Sequence, residues 1–299
     1  MEIFDLAIAY KWIYDKEFTS LIEQIFQKDG LKTFIIGEHN LYEISQRLKE
    51  KKLGFKAFFD RASDEDYNFV EITKILHRKK THLFNPSHIV EKVIDKSIMH
   101  DVLQNAGIQV PYTVIIPPFE KRKTVSIPEK EFEKLGTPFI IKPAYYSGGG
   151  DSVNTNATTI ADVINARMHY TDDSFLVQKK IYPKIIENRR AWFRPFYAFG
   201  HTIPTWWDDQ THLYSIMTQN DIRKYRLQKI LTITKKIAEL SRLDYFTTEI
   251  AQDGKGEFFV IDYVNDQCDM RLQHHHYDGV PEEIVVKFIE HMRDKVKAL

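Results

Sequence analysis

The chain has 299 residues, room for about two domains, and its 43% hydrophobic and 13% aromatic content can fill real cores. Lysine plus arginine and aspartate plus glutamate balance at 42 each, so no net field draws in nucleic acid or an anionic membrane, and neither is expected as a partner. One cysteine, Cys268, excludes an internal disulfide framework; no basic and apolar leader opens the chain and no apolar run nears the ~20 residues of a membrane span, so a cytoplasmic protein is expected.

In chain order, short apolar runs at Phe4–Ala9, Thr33–Gly37, Phe55–Phe59 and Thr81–Phe84 alternate with helical periodicity at 17–28, 41–52 and 65–78. This pattern predicts a parallel α/β layer over 1–85. No glycine triad follows the first strand, so the domain is expected to be Rossmann-like without a dinucleotide site. Asn85-Pro86-Ser87 breaks the chain, and Ser87 is a candidate N-cap for one helix running to Asn105 before Gly107 ends it. An extended run at Pro111–Ile116, a short helix at 128–135, a strand at Pro138–Lys142, a glycine loop, a helix at 158–169 and a strand at Phe175–Lys179 predict a small α+β unit over 86–180. Over 181–299 the pattern predicts long antiparallel strands at 190–199 and 202–207 and one helix near 219–241. A hairpin then joins Tyr245–Ala251 to Glu257–Val264 through Asp253-Gly254-Lys255-Gly256, and Pro281 opens an amphipathic helix over 282–296.

Lys142 ends an apolar strand, which packs its stem and turns its ammonium toward a cleft. Ser147, Gly148, Gly149 and Gly150 follow, with backbone N–H groups free to fold over a polyphosphate. The lysine precedes the glycines, so this is not a Walker A loop. Two readings stand: a phosphate grip, or a flexible hairpin loop with an edge lysine. Lys96 on the entering helix could add a second positive charge. Gln178 and the main chain after it (Lys179, Ile181) could meet a purine edge, and Glu187 could take ribose hydroxyls; each also reads as an ordinary surface residue.

A hairpin register pairing Ala251 with Phe258 places Glu249 opposite Val260 and diagonal to Asp262, ~7–8 Å away between α-carbons. Two such carboxylates can hold a hard cation such as Mg²⁺ against phosphates. Asn265 can add a neutral oxygen, yet it lies three residues from Asp262 and reaches the same face only through a bulge. Arg190, Trp192 and Arg194 share one strand face by period two, opposite Arg189, and read either as a clamp for phosphate or carboxylate or as salt bridges within the sheet. Trp206 and Trp207 read as core at a strand end, with a substrate-facing wall and an amine-receiving Asp208 or Asp209 as the alternative. His274-His275-His276 reads as an exposed loop, because consecutive side chains should diverge and no i,i+4 pair is present.

In this order the residues resemble the ATP-grasp superfamily, as in D-alanine:D-alanine ligases and glutathione synthetase-like enzymes, over Asn85 to Asp269. Lys96 and Lys142, 46 positions apart, match the two phosphate-binding lysines, and the glycine loop follows; Glu249 and Asp262, 13 apart, match the first metal ligands. The resemblance implies Gln178, Lys179 and Ile181 at the adenine hinge, Glu187 at the ribose, Arg190 and Arg194 at the transferring phosphate, and Asn265 as third metal ligand. Asp262-Tyr-Val-Asn265 departs from the usual Glu-x-Asn, and Gln178-Lys-Lys180 from the usual acidic hinge. The implied fold class is α/β and α+β: a pre-ATP-grasp domain (1–85), a small subdomain (86–180) and a C-terminal subdomain (181–299). The implied activity is carboxylate–amine ligation with ATP and Mg²⁺, with Mn²⁺ as a substitute metal, acting on a small-molecule carboxylate and an amine, and a homodimer is a further expectation. A small-molecule kinase resembling the inositol phosphate kinases is the alternative; it should show a dense basic pocket, and only Lys184, Arg189, Arg190 and Arg194 cluster. A non-catalytic nucleotide-binding module is the third.

Overall fold

A computed structural model describes residues 1–146 and 152–299. The first apolar runs pair as parallel strands: β1 (Glu2–Tyr10), β2 (Thr33–Ile36), β3 (Leu53–Arg61) and β4 (His82–Leu83), in the order β2-β1-β3-β4. Helices α1 (Asp15–Lys28), α2 (Leu41–Lys49) and α3 (Val70–Arg78) connect them. Near-continuous apolar strands suit a parallel sheet whose two faces are both covered. Ala7, Ala9 and Phe58 pack against Ile44, Leu48, Ile72 and Leu76 from α2 and α3, while Leu6, Ile8 and Phe59 look the other way onto Phe18 and Ile22 of α1.

The expected single helix over 87–105 is two, α4 (Ser87–Val93) and α5 (Lys96–Asn105). Pro86, not Ser87, occupies the position before α4. Asp95 makes the break: its Oδ1 accepts the backbone N–H groups of Ser97 and Ile98, which starts a new helix with Lys96 in its first turn. There follow β5 (Thr113–Ile116), α6 (Glu129–Leu135), β6 (Phe139–Pro143), β7 (Asn154–Ala157), α7 (Ile160–Arg167) and β8 (Phe175–Lys179). The four strands form an antiparallel sheet in the order β5-β8-β6-β7, over a small core of Ile116, Leu135, Phe139, Ile141, Val163, Phe175 and Val177.

The two long strands expected at 190–199 and 202–207 are instead a series of short ones: β9 (Ile185–Ile186), β10 (Arg189–Arg190), β11 (Trp192–Phe193), β12 (Phe196–Ala198), β13 (His201–Ile203), β14 (Thr205–Trp207) and β15 (Tyr214–Ile216). Pro195 and Pro204 interrupt them, since proline donates nothing to a ladder. Helices α8 (Gln219–Lys224) and α9 (Gln228–Ser241) replace one expected helix, with Tyr225–Leu227 between them and Arg226 in a left-handed conformation (φ 57°). β9 and β10 pair only with each other; in the seven-stranded sheet of the others, β16 (Tyr245–Gln252) pairs with β11 and β12 and with its hairpin partner β17 (Phe258–Asn265), and α10 (Glu282–Lys297) closes the chain.

The register within the hairpin differs by one residue from the expected one. Gln252 pairs with Phe258, Ala251 with Phe259 and Ile250 with Val260; the ladder then skips Ile261, so that Glu249 pairs directly with Asp262. A second shift brings Thr247 opposite Asn265. Two bulges in β17 therefore put Glu249, Thr247, Asp262 and Asn265 on one face.

The cores do not follow the sequence segments one to one. The α1 face of the N-terminal sheet is completed by Phe196, Tyr245, Cys268 and the buried side of α10 (Phe288, Ile289, Met292). Val93, Met99 and Leu103 of α4 and α5 join α9, β16 and β17 (Ile233, Ile237, Phe246, Ile250, Val260). The site lies where these cores meet the four-stranded sheet.

Candidate functional site

Lys142 leaves β6 almost fully buried, and its Nζ donates to the carbonyl of Ile261, the residue the hairpin ladder skips (2.7 Å). The bulge thus supplies the acceptor that aims this lysine. Its ammonium also lies 5.2 Å from the centre of the Tyr263 ring. Burial pushes the Lys142 pKa down to about 8, with Lys96 adding to the fall while Asp262 and Glu249 oppose it. Lys96 arrives from α5, whose first N–H donates to the Ala144 carbonyl just past β6 (3.0 Å), and its Nζ stands 3.5 Å from Asp262 Oδ1.

On the hairpin side, Arg194 Nη1 lies 3.6 Å from Glu249 Oε1, and Trp192 Nε1 donates to Glu249 Oε2 (3.2 Å). Burial raises the Glu249 pKa despite Arg194. Asp262 goes the other way: burial is more than offset by Lys96, Lys142 and Arg194, which hold its carboxyl below the usual range. Asp262 Oδ1 is sealed from solvent without a hydrogen-bond partner among the described residues. The Lys96 ammonium, 3.5 Å away, meets it as a charge but not as a hydrogen bond, which leaves its lone pairs open to a metal ion. Two facing carboxylates, with the amide of Asn265 on the same face, make an all-oxygen donor set that suits Mg²⁺.

The other expected site residues fall as follows. Gln178 is buried and its Nε2 donates to Thr113 Oγ1 and to Tyr263 Oη (2.9 Å each), so its amide nitrogen serves the interior. Tyr263 Oη in turn lies 2.6 Å from His100 Nδ1, which ties α5, β5, β8 and β17 together beneath Lys142. The Lys179 N–H is taken by the Tyr112 carbonyl (2.8 Å), and Ile181 sits half-buried in the crossing to β9. Glu187 is exposed, with φ 45°, and pairs with Lys224. Arg190 is not on one strand with Arg194: it belongs to β10, and Asp209 grips it through both oxygens (2.5 and 2.7 Å). Asp209 is therefore not a free amine receptor, and Asp208 accepts the N–H groups of Gln210 and Thr211 in a turn. Trp206 and Trp207 are buried in two different cores, with Arg189 over the first ring and Arg194 over the second. Ser147, Gly148, Gly149 and Gly150 lie outside the described residues. On either side of that segment, Asp173 Oδ2 accepts the Tyr145 and Tyr146 N–H groups, and Ser152 Oγ meets Tyr170 Oη (2.9 Å).

Sequence reasoning missed Tyr263 and Asp173 as supports of the site, and it placed Trp192 on the arginine face without its bond to Glu249. For Tyr263 a signal existed: a polar-tipped ring inside an apolar strand needs a buried partner.

The architecture is that of the ATP-grasp fold. The structure superposes on D-alanine–D-alanine ligase from Bacillus anthracis complexed with ATP (TM-score 0.61, 12% identity, 97% of this chain and 98% of that one). It is as similar to a RimK domain ATP-grasp protein from Sphaerobacter thermophilus (0.61, 16%, 96% and 98%). The ATP-grasp ligase PsnB, complexed with precursor peptide PsnA2 and AMPPNP, matches at 0.60 with 13% identity over 97% of this chain and 96% of that one. No family model and no curated protein matches the sequence. Among the described residues, no helix is long and apolar enough to cross a membrane.

Proposed function

We propose that this chain is an ATP- and Mg²⁺-dependent ligase that activates a carboxylate as an acyl phosphate for attack by an amine. The observation that carries the reading is the meeting of Lys96 and Lys142 with Glu249 and Asp262 in one largely enclosed cluster of opposite charges. The nucleotides bound by structural neighbours support ATP as the co-substrate.

In this reading Lys142 and Lys96 receive the phosphates, with Ser147 to Gly150 covering them. Lys142 exchanges its bond to the Ile261 carbonyl for a phosphoryl oxygen. Glu249, Asp262 and Asn265 would hold Mg²⁺ or Mn²⁺, and the ion would supply positive charge against the transferring group. The main chain at Lys179 and Ile181 lines the adenine, Gln178 supports it through Tyr263, and Glu187 turns from Lys224 to the ribose. A substrate carboxylate oxygen attacks the γ-phosphorus and the bond to ADP breaks. The amine nitrogen then attacks the acyl carbon, phosphate leaves with the carbon–oxygen electron pair, and the amine gives up a proton. Arg194 is placed to hold the acyl-phosphate oxygens, and Arg190 can join once it releases Asp209. The units 1–85, 86–180 and 181–299 would then serve as pre-ATP-grasp domain, small subdomain and metal-bearing subdomain.

The test combines protein, ATP and Mg²⁺ with panels of carboxylates and amines and measures ADP and free phosphate. Release that requires both a carboxylate and an amine supports the ligase. A phosphorylated acceptor without free phosphate identifies a kinase, and ATP binding with no turnover on any panel member leaves only a binding module.

A further inference from the structure

We propose that Glu17, His274 and His275 form a binding site for a divalent transition metal of the Zn²⁺ type, joining α1 to the loop that follows β17. The expected divergence of the consecutive histidines does not occur. The chain turns at Leu272–His276, where the Leu272 carbonyl accepts both the His275 and His276 N–H groups, and the two imidazole centroids of His274 and His275 lie 4.1 Å apart. Both rings point to the same carboxylate: His275 Nδ1 is 2.7 Å and His274 Nε2 is 3.6 Å from Glu17 Oε1. One donor atom from each of the three residues lies within 4.8 Å of the others. Donors bound to one Zn²⁺ at ~2.0–2.2 Å in a tetrahedron stand roughly 3.3–3.6 Å apart, so these side chains need only small rotations.

A second observation separates this cluster from an ordinary histidine–glutamate hydrogen bond. The opposite nitrogen of His274, Nδ1, lies 3.6 Å from Glu282 Oε2 at the start of α10. A metal-ligating histidine commonly donates its other N–H to a carboxylate, which fixes the tautomer and the ring orientation, and Glu282 stands a small rotation short of that hydrogen bond. The loop is also built in advance. Arg271 bonds Asp269 and Asp278 across its base, Val280 N–H donates to the Arg271 carbonyl, and His276 packs edge-on against Tyr14. Two imidazoles and one carboxylate suit zinc better than magnesium, so this site is chemically distinct from the Glu249–Asp262 cluster, and its fourth position is left for water or a ligand.

Tag-free, chelator-stripped protein titrated with Zn²⁺ against a chromophoric chelator, in excess Mg²⁺, tests the site. One equivalent per chain is expected, with Co²⁺ giving visible absorption of four-coordinate type. Stoichiometric binding should vanish in His274→Ala and in His275→Ala and weaken about 10–100-fold in Glu282→Gln, where a positioning carboxylate is lost. Zn²⁺ should raise the melting temperature of the wild type and not of the histidine variants. Because all these groups are partly exposed, circular dichroism should show unchanged folds. Absence of stoichiometric binding, or binding unaltered in the double variant His274→Ala/His275→Ala, overturns the proposal.

Discussion

Glu249 and Asp262 face each other as direct partners across the β16–β17 ladder, although the residues beyond them pair in a frame one residue different. Skipping Ile261 has two effects at once. It brings the carboxylates from a diagonal relation to an opposed one, about 4.5–5.5 Å between α-carbons, and it frees the Ile261 carbonyl to hold Lys142. Like charges so close are tolerated because Lys96, Lys142 and Arg194 surround them.

Replacing either acid should separate chemistry from folding. Asp262→Asn and Glu249→Gln keep the side-chain shape and are expected to lower ATP turnover on the order of 10²-fold or more, in line with loss of one preorganised charge at a transferring group. Circular dichroism should stay that of the wild type. Full turnover in both variants would remove this cluster from the mechanism.

Much of this was legible from local pattern, and what was not depended on long-range partners. Phe175–Lys179 emerges as a strand with its expected bounds because its apolar run Phe175–Val177 is enclosed on both faces. Asp95 reads as one more charge on a helix surface, whereas it caps α5 and thereby delivers Lys96. The Ile261 bulge has no glycine to announce it, so the hairpin register came out one residue off. Arg190 and Arg194 share a period of two in sequence, but their different fates follow from Asp209, 19 positions on, and Glu249, 55 positions on from Arg194. No periodicity encodes such pairs.

The hydroxyl of Tyr263 is the hub for Gln178 and His100, and the ring is fully buried. Tyr263→Phe leaves His100 without this partner and should cost about 1–3 kcal/mol of stability in urea denaturation, with an unchanged m-value. A shift below a few tenths of a kcal/mol would mean the network is slack.

Asp15 and Arg61 form a bidentate pair (2.8 Å for both bonds) that is almost wholly buried between the N-terminal sheet and α1. Asp15→Ala strands a guanidinium and should destabilise by about 3–5 kcal/mol, while Asp15→Leu with Arg61→Met should recover much of the loss. Chemical denaturation of both variants reads this directly. Equal losses would show that the pair matters for shape and not for charge.

Lys142 gives the site a pH signature. With its folded pKa near 8 and that of an unfolded chain near the ordinary lysine value of about 10.4, the unfolded state holds more protons between those limits. Stability should therefore rise with pH across that window, the reverse of a lysine stabilised by a partner. Bound phosphates would favour the charged ammonium and raise its pKa again, so ATP binding above pH 8 should draw a proton from solution. Affinity should then fall up to about tenfold per pH unit above 8, as long as the complex keeps Lys142 protonated. Calorimetry in buffers of different ionisation enthalpy measures the uptake. At pH 9 it should approach one proton per ATP in the wild type and drop toward zero in Lys142→Ala. Uptake unchanged by that substitution would assign the proton to another group and remove Lys142 from the phosphate site.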